Sequence, residues 1–353
     1  MDKPFTTLNE LPHIDTSNLC GRKVYLIPLW DKVSWKTWTP IEDGNLLELS
    51  LVGVLRSDYL AEAAAHKDDV YIPFIELVWQ HLSWPNIMRE MSGLATDIHL
   101  MATIAAKLEH YHAAQETIGN DLLTTFVNSE VEHLLVIARS MFDLLQAMIS
   151  HLWIEHVRID DPALEKSRKQ RPMQATFSKI VLDGQKLRTA AEIQEKYSIP
   201  AGMAEMYVKH APFFQSVRTA RDHVVHYGKS TDSVYATERG FCVNPNAPYF
   251  RDFPWLEEHH YNENIVTLKP WLARLVGQTL EACSDILLSI NNLIGFPPPL
   301  APRHHVFIRD PAAPALLRLI GASNIADYWW ADMPNDTDKV NSISLHSGHF
   351  VFD

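Results

Sequence analysis

Apolar residues recur every three to four positions at Leu122, Leu123, Phe126, Val127, Val131, Leu134, Leu135, Ala138, Met141, Phe142, Leu145, Met148, Ile149 and Leu152. That period turns one face of a long helix into a core. Residues 86–158 contain no proline and read as two long helices, with Gly119 closing the first and Asn120 as N-cap of the second. The short connection makes the pair an antiparallel hairpin of bundle type. The charged stretch Asp160–Arg171 reads as a solvated connection. A helix is expected from Gln174 to Leu187, and Thr189 with Glu192 forms the capping-box pattern that starts another. Pro200 opens a further helical region, Pro212 interrupts or begins a helix, and Phe213–Tyr227 runs to Gly228 as a C-cap. Ser233–Val243 reads as a small hairpin turning near Gly240. A last long helix is expected over 264–294, before Pro297-Pro298-Pro299.

The two ends are patterned differently. The first 56 residues mix short apolar runs with Pro and Gly, and Lys23–Trp30 reads as an edge strand limited by Pro28. Trp30, Trp35 and Trp38 are expected to cover the core of an adjoining domain, although three such rings would also serve as a stacking surface. The tail from 300 carries Tyr328-Trp329-Trp330 and is expected to pack back onto the bundle or onto a second subunit. The fold class expected is mostly α, a helical bundle with a small β-hairpin and aromatic-rich terminal segments. Its divisions are 1–85, 86–299 and 300–353.

A chain of 353 residues with 46% hydrophobic and 21% charged side chains is neither disordered nor a coiled coil. A net charge of -12 argues against a protein coated in nucleic acid but allows a local basic site. Cys20, Cys242 and Cys283 are odd in number and far apart, which excludes a disulfide framework and points to a reducing compartment. Met1-Asp2-Lys3-Pro4 lacks the features of a signal peptide, and no uninterrupted apolar run reaches the roughly 18–20 residues that span a bilayer. A cytoplasmic protein without a membrane partner is expected.

Several chemistries leave no trace. There is no Walker loop, no Gly-x-Gly-x-x-Gly and no Gly-x-Ser-x-Gly. Glu109–His112 and Glu130–His133 match the Glu-x-x-His pattern of di-iron bundles. Two inward-facing partner glutamates are not evident, however, and Glu257-Glu258-His259-His260 shows how cheaply 18 histidines produce the pattern. The expectation is solvated helix ends, with no metal and no cofactor. Cys242 and Cys283 sit in apolar surroundings and are expected to be buried and inert.

The most informative segment is Phe213–Gly228, where Arg221, Asp222 and His226 stand near the end of an expected helix. This resembles the signature of the HEPN superfamily, an Arg followed after four to six residues by His, often with Asn, Asp or His directly after the Arg. Glu132–Leu145 is similar to the long helix that precedes the motif in that family, and Thr176–Ile180 to the start of the intervening helix. The likeness covers about 120–230 and more loosely extends to 295. It implies a HEPN-like bundle and metal-independent cleavage of RNA. His226 would take the proton from a 2′-hydroxyl, Arg221 would steady the phosphate, and Asp222 would complete the catalytic set. Arg218, His223 and Lys229 would contact the RNA, within a basic neighbourhood that includes Lys179, Lys186, Arg188 and Lys209.

Residues five apart on a helix point about 140° apart. One helix therefore struggles to present Arg221 and His226 to one phosphate, which fits the family's habit of pairing two motifs across a homodimer. RNA and a separately encoded antitoxin-like protein are the other partners implied. A second reading stays open, because some members keep the motif for folding or partner binding. Arg218, Asp222 and His226 follow one another at four-residue intervals and also suit a simple stabilising ladder. The chain would then be a catalytically silent module that binds RNA, a nucleotide or a protein. A metal-dependent bundle enzyme is a third, more distant, reading.

Overall fold

A computed structural model of the chain describes residues 5–11, 17, 19–22, 28–30, 32–40, 45–49, 56–227, 233–237 and 240–321, and only the backbone at 5, 6, 9, 40, 45, 121 and 223–227. Strands β1 (Phe5–Thr7), β2 (Leu29–Trp30), β3 (Trp35–Pro40), β4 (Asn45–Leu49), β5 (Ser57–Ala61) and β6 (Val70–Tyr71) lead to helix α1 (Pro73–His81). The helical body continues through α2 (Met88–Ala113), α3 (Gln115–Ile118), α4 (Asn120–His151), α5 (Pro162–Gln170) and α6 (Phe177–Val181). A ribbon of β7 (Leu182–Asp183) and β8 (Lys186–Leu187) precedes α7 (Ala190–Tyr197) and α8 (Ala201–Tyr227). Strands β9 (Tyr235–Thr237), β10 (Gly240–Val243), β11 (His260–Asn262) and β12 (Ile265–Thr267) form a second sheet before α9 (Lys269–Ile294). Strand β13 (His305–Arg309) and α10 (Ala313–Gly321) complete the described chain.

The protein is mostly α, and α2 and α4 form its spine. Their contacts step in opposite directions along the two chains. Gly93 meets Leu144, Asp97 hydrogen-bonds Ser140, Lys107 pairs with Glu130 at 2.9 Å, and the Tyr111 and Phe126 rings lie 5.4 Å apart. The pair is therefore antiparallel. A Cβ on residue 93 would stand only 2.9 Å from a Leu144 methyl, so this close approach favours glycine. The stretch Leu122–His156 is long and apolar enough to cross a bilayer by composition alone, but Val127, Leu134, Met141, Phe142 and Leu145 are buried in this protein's own core.

The strand content exceeds the one hairpin and the one edge strand expected. A seven-stranded mixed sheet runs in the order β1-β4-β3-β2-β5-β13-β6, with β2 and β5 parallel. Its alternation is regular along β13, between β5 and the edge strand β6. Val306 and Ile308 join the main core beside Leu60, while Phe307 packs with Tyr59 on the opposite face, against Trp30, Trp35 and Tyr71. The start of the tail from 300 thus closes the N-terminal sheet and lays α10 on α2 and α9. Tyr328, Trp329 and Trp330 lie outside the described residues, as does most of the Lys23–Trp30 run.

Four local expectations change. Asp160–Arg171 holds a real helix, α5, because the Asp161 carboxylate accepts the Ala163 and Leu164 N–H groups and Pro162 supplies a first-turn φ. The helix expected to reach Leu187 ends at Val181, where the chain turns back through Gly184 at φ +64°. The last helix starts at Lys269 because Ile265–Thr267 is taken into the β10–β12 pairing. Helix α8 runs straight through Pro212, at the loss of one backbone hydrogen bond. The Thr189 cap forms as expected, with the Glu192 N–H donating to Oγ1 at 3.3 Å and the Thr189 N–H donating to the Glu192 carboxylate at 2.7 Å. The hairpin near Gly240 forms as β9–β10.

Candidate functional site

The Arg221 region rests on an aromatic floor. Phe142 of α4, Phe177 of α6, and Tyr207 and Phe214 of α8 are fully buried. Their ring centres are spaced at 4.9–5.6 Å. The Tyr207 hydroxyl donates to Gln146 Oε1 at 2.7 Å, so its one polar atom is satisfied inside the core. Helical spacing then sets what lies above the floor. Asp143 comes directly after Phe142, with Arg139 one turn earlier. Arg218 stands one turn after Phe214, with Arg221 and Asp222 on the next turn.

These five side chains meet. Arg221 Nη1 donates to Asp222 Oδ1 at 2.9 Å. Arg139 Nη1 lies 3.6 Å from the same oxygen, and Arg218 Nε lies 3.6 Å from Asp222 Oδ2. Arg139 Nε also stands 3.9 Å from Asp143 Oδ2. The other Asp143 oxygen accepts the Phe177 N–H at 3.0 Å and so fixes the start of α6. Burial pushes the Asp143 carboxyl upward, against the Phe177 hydrogen bond and the charges of Arg139, Arg218 and Arg221. The three arginines and Asp222 keep between 24% and 33% of their side-chain surface in solvent. The group is open to a ligand.

Three guanidinium groups face two carboxylates, which leaves one positive charge in excess in a chain of net charge -12. Among the described residues only Arg221 hydrogen-bonds Asp222. Among the described residues Arg139 and Arg218 hold their ion-pair partners at distance and make no hydrogen bond, and Arg139 Nε is shielded from water without an acceptor. Such a set has the donors and the charge to take a tetrahedral anion.

Position 226 lies one turn beyond Asp222 on the α8 backbone. The His226 and His223 side chains, and all of Lys229, lie outside the described residues. Arg139 and Asp143 are the members that the motif by itself does not reveal. Their signal was an Arg and an Asp four apart in a stretch of α4, Leu134–Ser150, that has no other charged residue. Two residues of the wider basic neighbourhood serve other tasks. Arg188 donates to the Lys179 and Ile180 carbonyls at 2.7 and 3.0 Å, and Lys209 pairs with Asp285 at 2.8 Å.

The Glu-x-x-His residues disperse. Glu109 receives both forks of Arg318 at 3.0 and 2.5 Å, His112 Nε2 donates to the Thr237 carbonyl at 2.8 Å, and Glu130 binds Lys107 at 2.9 Å and the Tyr111 hydroxyl at 3.3 Å. Among the described residues no three His, Cys, Asp or Glu side chains stand together as metal ligands. Cys242 and Cys283 are buried, and burial with the nearby Asp97 charge pushes the Cys283 thiol up to about 12. It is a poor nucleophile. No known family pattern, curated protein or solved structure matches the chain.

Proposed function

We propose that this is a HEPN-like endoribonuclease that cleaves RNA without a metal, with Arg221 and His226 as its motif at the interface of a homodimer. The observation that carries the reading is the cationic cluster around Asp222, one helical turn before His226. A neutral imidazole takes the proton of the 2′-hydroxyl, whose oxygen bonds to the adjacent phosphorus. The bond from phosphorus to O5′ breaks, an imidazolium of the second motif in the dimer gives O5′ its proton, and the products are a 2′,3′-cyclic phosphate and a 5′-hydroxyl. The arginines stabilise the charge gathering on the phosphorane oxygens. Asp222 aligns Arg221, and Arg218, His223 and Lys229 hold the flanking strand.

The test is cleavage of a mixed-sequence RNA in the presence of chelator. His226→Ala and Arg221→Ala should each lower the rate by about 10²- to 10⁴-fold at unchanged melting temperature. Asp222→Asn should be milder, since it keeps an acceptor. Light scattering should give the mass of a dimer at micromolar concentration. Full activity in His226→Ala, or a strictly monomeric mass, would refute the reading.

The second reading, a silent module that binds RNA, a nucleotide or a protein, draws on the Arg218–Asp222 pair at helical spacing. It expects Arg218→Ala, Asp222→Ala and His226→Ala to lower the melting temperature by similar small amounts, with no RNA turnover to lose.

A further inference from the structure

Asp222 stands where three guanidinium groups converge. Its Oδ1 accepts the Arg221 Nη1 donor at 2.9 Å and lies 3.6 Å from Arg139 Nη1, while its Oδ2 lies 3.6 Å from Arg218 Nε. Arg139 reaches it from α4, and Arg218 and Arg221 share its own helix. Asp143 is placed differently. Among the described residues it pairs with one guanidinium, Arg139 at 3.9 Å, and its other oxygen accepts the Phe177 N–H at 3.0 Å. Arg139 and Arg218 make no hydrogen bond among the described residues, so their donors are left for a ligand that approaches beside the Asp222 carboxylate.

A carboxylate at this point acts on an incoming anion in two ways. It neutralises part of the charge that attracts the anion, and it repels the anion's own oxygens at short range. Both effects grow with the charge of the ligand, because Coulomb energy is linear in each charge. A phosphodiester carries one negative charge, whereas a phosphate monoester carries about 1.5 to 2 at neutral pH. The penalty for the monoester is therefore up to about twice that for the diester. Specificity built on repulsion needs the repelling charge held in place, and the Arg221 hydrogen bond holds it.

We infer that Asp222 is the specificity-determining residue of this cluster, tilting it towards the singly charged phosphodiester of a nucleic-acid backbone and away from phosphate monoesters such as phosphorylated chain ends. The inference rests on the reading of the cluster as a phosphate site, and it names the class of phosphate. Asp222→Asn then holds phosphate more tightly. That is compatible with its slower cleavage, because binding shared by ground state and transition state does not raise the rate.

The test is calorimetric titration of the full chain at about pH 8, where the second phosphate proton, of pKa about 6, is gone. The probes are the 3′-phosphate of 2′-O-methyluridine and its 3′-methyl ester. They differ by one negative charge, and neither can be cut, for want of a free 2′-hydroxyl. Asp222→Asn should bind the methyl ester about threefold and the monoester about tenfold more tightly than the parent, a gain that doubles on the logarithmic scale with ligand charge. Asp222→Ser should do the same and serves if the asparagine variant does not fold. Asp222→Glu keeps the charge and should keep the parent's ratio of the two affinities. Arg139→Gln should weaken both probes, since it removes a charge and its donors. If Asp222 is only a tie between the helices, its loss lets the guanidinium groups spread, and both probes bind no more tightly than before. That result overturns the inference, and so do a parent that binds neither probe, an equal gain for the two probes, or failure of both neutral variants to fold.

The outcomes separate the two proposals. The unequal gain in a chain that cuts no RNA keeps Asp222 as the selector and removes the cleavage reading. Cleavage that is lost in His226→Ala and Arg221→Ala, with no gain of binding in the neutral Asp222 variants, removes the selector alone.

Discussion

Asp285 shows at the scale of single residues how burial and charge compete in this protein. Burial pushes its carboxyl up, but hydrogen bonds from Lys209 at 2.8 Å and His210 Nε2 at 2.6 Å outweigh that and hold it below the usual carboxylate range. His210 is itself held below the usual imidazole range, because burial outweighs the help of Asp285. A histidine lowered in the folded state takes up its proton earlier in the unfolded chain, so its share of stability is complete above about pH 6.5 and falls as acid is added through its folded pKa. Asp285 adds a second loss at lower pH, below the ordinary carboxylate range. The melting temperature of the parent should therefore fall more steeply from pH 7 to pH 5 than that of His210→Gln; parallel curves would contradict this. Tyr207 offers a measurement without titration. Tyr207→Phe leaves Gln146 Oε1 buried without its donor and should cost about 1–3 kcal/mol in chemical denaturation.

Helix α8 carries most of the candidate site, and its regularity has a cost that can be measured. Pro212 sits in its interior, where no N–H can reach the carbonyl of Val208. Pro212→Ala should raise stability, by less than the roughly 3 kcal/mol of an interior proline, because alanine also loosens the unfolded chain. Helix α7 makes the converse point. The Thr189 hydroxyl accepts the Glu192 N–H, and Thr189→Ala should cost about 1 kcal/mol, visible as a lowered denaturation midpoint. Such caps and the apolar stripe of α4 are legible in a one-dimensional reading because both sides of each interaction lie within a turn or two. Helix α5 was legible too: Asp161-Pro162 is a proper helix start, masked by the charged residues between Glu165 and Arg171.

In the whole molecule, a few long-range ties join the sheet to the helices. The Arg22 guanidinium donates to the Gln80 carbonyl at 3.1 Å and the Pro298 carbonyl at 3.4 Å. The Gln80 side chain in turn bonds Ala301 at both backbone atoms and the His304 carbonyl. These contacts feed the chain into β13, which pairs with β5 on one side and β6 on the other. A chain ended after Pro299 loses that strand, exposes β5 as a sheet edge and leaves β6 without a pairing strand. It should aggregate or lose its cooperative melting transition, as seen by circular dichroism and light scattering; a normal transition would show that the sheet stands without β13.

The sequence by itself determined the mostly helical class, the α2–α4 hairpin, the Thr189 cap, the β9–β10 turn and the position of Arg221, Asp222 and His226 on one helix. Each depends on periodicity or on neighbours a few residues apart. Only the tertiary structure decided the seven-stranded sheet, whose strands of two to six residues are too short to show a period and whose strand β13, between β5 and β6, arrives from the far end of the helical body. It also decided that Arg139 and Asp143 of α4 stand with Arg218, Arg221 and Asp222 of α8, above rings from three helices. A cluster of like charges drawn together by two carboxylates is a property of packing, and packing unites residues whose separation along the chain carries no local signal.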